Sequence, residues 1–157
     1  MIREGDRIPH VKLTMVDDDG THEVMADELC AGKKVVIFAV PGAFTPTCSE
    51  RHLPGFIDHA AVLQAKGVDL IACLAVNDAF VLGVWRQTEG AHAIKMLADG
   101  GASFTRELGL EMETGDFGGV RARRFAMIID DGVVTRLLLE APKAFEVSSA
   151  ESVLSQL

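Results

Sequence analysis

Apolar and polar positions change period repeatedly along the chain, and each change marks an element. Val11-Lys12-Leu13-Thr14-Met15-Val16 alternates with the two-residue period of a half-buried strand. Asp17-Asp18-Asp19-Gly20 then predicts a turn, and Thr21 to Met25 closes a hairpin. Lys34 to Val40 and Val68 to Val76 are continuous apolar runs, as strands buried on both faces require. Between them, from Ser49 to Lys66, Leu53, Phe56, Ile57, Ala60 and Leu63 keep helical spacing. Pro54 is expected to kink that helix and Gly67 to end it. Asn77 or Asp78 caps a further helix to about Glu89, with Phe80, Val81, Val84 and Trp85 on its inner face.

The last third reads as shorter elements. Ile94 to Ala98 predicts a short strand and Ser103 to Leu108 a short helix. Arg124 to Ile129 and Val133 to Leu139 flank Asp130-Asp131-Gly132, a hairpin signal. Ser148 and Glu151 form a capping box that opens a final helix. The order is hairpin, β-α-β-α-β, β-hairpin, α. That order predicts one α/β domain over residues 1–157, a mixed sheet flanked by helices. It is compatible with a thioredoxin-like fold that carries an N-terminal β-hairpin.

Composition narrows the function classes. A net charge of −8 argues against nucleic acid and anionic membrane as partners. No stretch approaches the roughly 20 apolar residues of a membrane span, and Met1-Ile2-Arg3-Glu4-Gly5-Asp6 has no signal-peptide core. Cys30, Cys48 and Cys73 are an odd number without framework spacing. A cytoplasmic protein with redox or catalytic thiols is therefore expected.

The candidate chemistry lies at Pro41-Gly42-Ala43-Phe44-Thr45-Pro46-Thr47-Cys48-Ser49-Glu50, between the first apolar strand and the helix that follows. A cysteine beside a helix N-terminus meets free N–H groups and the positive dipole end, which favour a thiolate. A thioredoxin-like redox turn normally reads Cys-x-x-Cys. Here it is Thr45-Pro46-Thr47-Cys48, a single thiol beside a hydroxyl, which suits attack on a small polar substrate better than disulfide exchange.

Pro41-x-x-x-Thr45-x-x-Cys48 resembles the active-site pattern of the peroxiredoxins. With Ser49 and His52-Leu53-Pro54-Gly55-Phe56 it resembles their type-II branch, often served by glutaredoxin. Co-linear blocks extend the resemblance over nearly the whole chain: Gly5-Asp6-x-Ile8-Pro9, Val76-Asn77-Asp78-x-Phe80-Val81, Trp85, Leu97-Ala98-Asp99-Gly100, and Arg124-Phe125-x-Met127-Ile128-Ile129.

The resemblance implies a thiol peroxidase for hydrogen peroxide and small alkyl hydroperoxides. Cys48 would be its nucleophile, oxidised to a sulfenic acid. Lowering a thiol's pKa from about 8.5 to about 6 raises the thiolate fraction at pH 7 about thirtyfold. It also weakens nucleophilicity about tenfold. The small net gain leaves most of the rate enhancement to orientation and charge stabilisation. Thr45 is the candidate orienter or a helix cap. Pro41 is a rigid shield or an ordinary strand-ending proline.

Strand periodicity does not choose among Arg121, Arg123 and Arg124. The resemblance selects Arg124 as the stabilising cation and leaves the other two as a solvated basic cluster. His52 and Glu50 are expected to support the loop, Trp85 to pack in the core, and no metal is expected. Cys73 is a buried core residue or, by resemblance, a second redox cysteine. Cys30 falls in an expected loop, incidental or a site of mixed disulfides. No cofactor is expected beyond the electron donor, glutathione with glutaredoxin or else thioredoxin. A homodimer with Phe44 and Phe80 among its contacts is implied in the same way. Two rivals stay open on the residues alone, a thioredoxin-class thiol exchanger and a redox sensor that uses Cys48 as a switch.

Overall fold

A computed structural model describes residues 1–157. The alternating first run folds as β1 (Lys12–Asp17), paired antiparallel with β2 (Gly20–Met25). A short helix α1 (Ala26–Cys30) follows, in a stretch read from sequence as a loop. The two continuous apolar runs are β3 (Lys34–Ala39) and β4 (Leu70–Ala75), parallel neighbours at the centre of the sheet. β5 (Lys95–Ala98) extends the parallel set. Two small strands, β6 (Glu111–Glu113) and β7 (Val120–Ala122), form a separate ribbon. β8 (Phe125–Asp130) runs antiparallel to β3, and β9 (Val133–Leu139) pairs with β8. Asp131 and Gly132 both take positive φ, 48° and 80°, as the tight turn of that hairpin requires. The seven-stranded order is β2-β1-β5-β4-β3-β8-β9, the mixed sheet of a thioredoxin-like fold.

Period-two alternation along β3 divides the core. Val36, Phe38 and Val40 face one side, packed with α2 (Leu53–Ala65), α3 (Ala79–Glu89) and α5 (Ala150–Ser155). Val35, Ile37 and Ala39 face the other, packed with α1 and α4 (Ser103–Leu108). Burial on both faces is why β3 and β4 read as unbroken apolar runs. No helix is long and apolar enough to cross a membrane.

Three local expectations are corrected. α3 is capped by Asp78, whose carboxylate accepts from the Val81 N–H at 2.9 Å, but its inner face is Leu82, Trp85 and Arg86. Phe80 and Val84 point outward, 87% and 57% exposed. The final helix is capped by Ser149, which accepts from the Ser152 N–H, because Ser148 is engaged elsewhere. Pro54 does not kink the middle of a helix. It sits at the start of α2, directly after a π-helical turn, Cys48–His52. There the Leu53 N–H bonds to the Cys48 carbonyl, five residues back. The wider turn lets the helix continue where the proline has no N–H to give.

Candidate active site

The carboxyl ends of β3 and β4 open at one edge of the sheet, where α/β folds place their ligands. Val40 continues from β3 and Pro41 breaks away. The Ala43 N–H is tied to the Asn77 side chain at 3.0 Å, just beyond β4. Phe44 is held at φ 64°, an uncommon conformation for an aromatic residue and a local strain at the mouth of the site. The helix begins at Pro46, whose fixed φ suits a first helical position. Cys48 opens the π-turn two residues later. π-turns of this kind are frequent at functional sites.

β8 runs antiparallel to β3 with Phe125 opposite Ala39. Arg124, the residue before β8, therefore arrives beside the end of β3. Its Nη2 donates to Cys48 Sγ at 3.1 Å and its Nη1 to His52 Nδ1 at 2.9 Å. The topology thus selects Arg124 where periodicity could not. Arg121 is no solvated charge. Its guanidinium donates to the Gly118 and Val76 carbonyls, bolting the β7 ribbon to the end of β4. Arg123 lines a cavity in front of Cys48.

His52 is fully buried among Phe38, Phe56 and Phe145, with ring centroids 5.1, 5.7 and 5.0 Å away. A guanidinium only donates, so Nδ1 must offer its lone pair. Nε2 therefore carries the proton and donates to the Ser148 carbonyl at 2.9 Å. Burial, then the Arg124 charge, push the imidazole down to about 3. The result is a neutral histidine of one tautomer that fixes the guanidinium. Both ring nitrogens are therefore engaged, Nδ1 by Arg124 and Nε2 by Ser148.

Sequence reasoning missed the support of this histidine. Glu140, just past β9, accepts from the backbone N–H groups of Glu146, Val147 and Ser148 and from the Ser148 hydroxyl, at 2.7–2.9 Å. Burial alone would raise its carboxyl, but these donors hold it below the usual carboxylate range. The carboxylate shapes residues 146–148 so that the Ser148 carbonyl meets His52. A chain of contacts therefore runs Glu140, Ser148, His52, Arg124, Cys48. An acidic residue 92 positions from the cysteine carries no local signal of such a link.

The Thr45 hydroxyl donates to the Gly42 carbonyl at 2.7 Å, and its remaining lone pairs can accept. It caps no helix N–H. Glu50 is exposed and its side chain forms no hydrogen bond or ion pair, so it gives the loop no polar support. Ser49 supplies that contact instead. Its hydroxyl accepts from Trp85 Nε1 at 2.9 Å, tying the π-turn to the buried indole.

Cys48 itself has no exposed surface. It lies behind a cavity of about 550 Å³ whose lining includes Pro41, Thr47 and Arg124. Cys73, on β4, is fully buried, and burial and then the nearby Cys48 push its thiol well up. Cys30 ends α1, also buried, its thiol pushed up to about 11 by desolvation. A site of mixed disulfides needs an accessible, ionisable thiol, and Cys30 is neither. No two of the three cysteines are joined.

Comparison with known proteins bears on the same site. A family model described as Redoxin matches residues 3–154. A chloroplastic peroxiredoxin of rice, Peroxiredoxin-2E-2, is 51% identical to this chain, covering 99% of it and 72% of the rice protein. Peroxiredoxin-2B of Arabidopsis thaliana is 47% identical, covering 99% of this chain and 98% of its own length. The crystal structure of reduced Prx3 from Vibrio vulnificus, in complex with hydrogen peroxide, has a TM-score of 0.97 at 58% identity and covers 99% of both chains.

Proposed function

The chain belongs to the type-II branch of the peroxiredoxins, thiol peroxidases of thioredoxin-like fold, and from that premise we propose that Cys48 is the thiol that reduces hydrogen peroxide and small alkyl hydroperoxides. The observation that carries this reading is the Arg124 guanidinium, 3.1 Å from Sγ and fixed by His52.

The sulfur attacks one peroxide oxygen and the O–O bond breaks. The departing oxygen leaves with the bonding pair, takes a proton and becomes water or an alcohol, and Cys48 becomes a sulfenic acid. Arg124 stabilises negative charge first on sulfur and then on the departing oxygen. Because His52 and the Glu140-shaped segment hold it in place, little reorganisation is needed during the reaction. Thr45, whose hydroxyl donates a hydrogen bond to the Gly42 carbonyl, accepts a hydrogen bond from the peroxide and orients it. Pro41 walls the site. Cys48 has no exposed surface and lies behind the cavity lined by Pro41, Thr47 and Arg124, from which a peroxide approaches it.

Recycling draws on an outside thiol, since no two of the three cysteines are joined and burial pushes the Cys30 and Cys73 thiols up. Glutathione with glutaredoxin is our first choice and thioredoxin the second. Three unpaired thiols suit a reducing compartment such as the cytoplasm. Phe44, Phe80 and Val84 are exposed apolar side chains that a second copy of the chain would cover. Light scattering on Phe80→Glu, expected to be monomeric, tests that homodimer.

The function is tested by steady-state peroxide consumption with each reductant system. Turnover with glutathione and glutaredoxin, slower with thioredoxin, is expected, with tert-butyl hydroperoxide accepted. Disulfide reduction without any peroxide consumption would place the chain with thiol exchangers. A single oxidation without turnover would make it a sensor.

A further inference from the structure

The cavity in front of Cys48, at about 550 Å³, is far larger than hydrogen peroxide needs and matches sites that hold small organic molecules. Its charge is lopsided. Arg51, Arg123, Arg124 and Lys143 line it against a single carboxylate, Glu140. That carboxylate is 3% exposed and its oxygens are spent on Glu146, Val147 and Ser148. Arg124 is spent too, on Cys48 and His52.

The other three cations have donors to spare. Arg51 lies over the Phe145 ring at 4.7 Å. Arg123 makes one long bond, 3.4 Å, to the Glu140 carbonyl. Lys143 makes none. None of the four joins the chain's ion pairs. The chain has 23 acidic and 15 basic residues, so carboxylates were plentiful for pairing them. Like charges gathered without partners repel one another and focus a positive potential in a concave site.

We propose that Arg51, Arg123 and Lys143 form a carboxylate-binding rim that seats one of the reactants of Cys48. The proposal rests on the peroxidase reading and adds the chemistry of what enters. Two reactants can bring that carboxylate, a small thiol reductant or an organic hydroperoxide. For the thiol, its sulfur attacks the sulfenic sulfur, an S–S bond forms, the S–O bond breaks and the oxygen leaves as water. A second thiol then attacks the mixed disulfide, releasing the small disulfide and the Cys48 thiol. For the hydroperoxide, the carboxylate anchors the molecule while its O–O bond breaks at Cys48 as described above.

Paired probes, each a carboxylic acid and its ester, separate these sources. The sulfenic acid formed with hydrogen peroxide is mixed with glutathione or with glutathione diethyl ester, at equal thiolate concentration. In the other arm, reduced protein is mixed with a carboxylic-acid hydroperoxide or its methyl ester. The acid is expected to outrun its ester about tenfold at low salt in at least one arm, and that arm names the reactant. The advantage should shrink in 0.5 M salt, and fall toward one in Arg123→Gln/Lys143→Gln. Each ratio is internal to one protein, so a partly damaged site does not imitate the effect, and Lys143→Gln alone, on the exposed loop, repeats the test.

Equal rates for acid and ester in both arms, with hydrogen peroxide still oxidising wild-type Cys48, would overturn the rim and leave the peroxidase reading standing. So would an advantage that survives the double substitution unchanged. If hydrogen peroxide does not oxidise wild-type Cys48, the peroxidase reading fails first and the rim with it.

Discussion

Cys48 and Cys73 have the same burial, 0% exposed, and sit in the same hydrophobic cluster. What differs is what meets the sulfur. Cys73 leaves the middle of a fully paired strand, where every neighbouring N–H already has a partner, and its thiol is pushed well up. Cys48 leaves the start of a π-turn at the edge of the sheet and meets a guanidinium held by a histidine. Burial alone makes a cysteine inert. Burial beside a positioned donor makes a reactive centre that water does not flood.

The comparison breaks most visibly by removing each sulfur. Cys48→Ser should lose peroxide reduction by on the order of a thousandfold or more. Cys73→Ala should stay within about twofold in the rate of oxidation and lose about 1–2 kcal/mol of stability to the cavity left in the core. Rapid-mixing kinetics and urea denaturation read the two effects.

Removing the donor should come next. Arg124→Gln is expected to slow oxidation by about a hundredfold to a thousandfold, the scale for loss of one positioned donor. Arg124→Lys should not restore the rate, because one ammonium cannot reach Cys48 and His52 in the geometry of a planar fork. A lysine enzyme as fast as wild type would show that charge, not orientation, is what Cys48 needs.

A smaller effect is expected from the histidine that steadies the donor. His52→Leu should cost about tenfold in rate, as a misplaced group does. His52 also gives a pH signature. Its ordinary value is 6.5 and it is about 3 when folded, so below pH 6.5 the unfolded chain takes up a proton that the native chain refuses. Stability should therefore rise with pH through that window and be lost as pH falls from 6.5 toward 3. One such proton contributes a slope of about 1.4 kcal/mol per pH unit. Glu140, held below its ordinary 4.5, adds to the loss only at the lower end. Denaturation midpoints between pH 7 and 5 should flatten in the His52 variant.

The smallest expected change is at the far end of the contact chain. Glu140→Gln keeps the shape but weakens the charge-assisted bonds to residues 146–148. It should cost about 1–3 kcal/mol of stability and a few-fold in rate, measured by the same two methods.

What the sequence displayed of this site was its local half. Pro41, Thr45 and Cys48 lie within one turn, and strand, turn and helix periods frame them, so their neighbourhood could be read directly. The hairpin at Asp131-Gly132 was equally plain, because only a few residues tolerate its backbone. Arg124 was visible only through family resemblance, since its reach depends on β8 meeting β3 in register. Glu140 and Ser148 were invisible as support, because a carboxylate that gathers backbone N–H groups looks like any surface acid in sequence. The outward turn of Phe80 and Val84 was misread for a related reason. Helical spacing shows that residues share a face, not which face meets the sheet, and here Leu82, Trp85 and Arg86 hold the inner one.

The most direct test labels the two sulfurs against each other. Reduced protein is mixed with one equivalent of hydrogen peroxide, trapped with a sulfenic-acid reagent such as dimedone, digested and analysed by mass spectrometry. The account predicts the adduct on Cys48 when the reagent is present as peroxide is added, with Cys73 and Cys30 recovered as free thiols. An adduct on Cys73, or no adduct on Cys48 at rates above those of a free thiol, would contradict it.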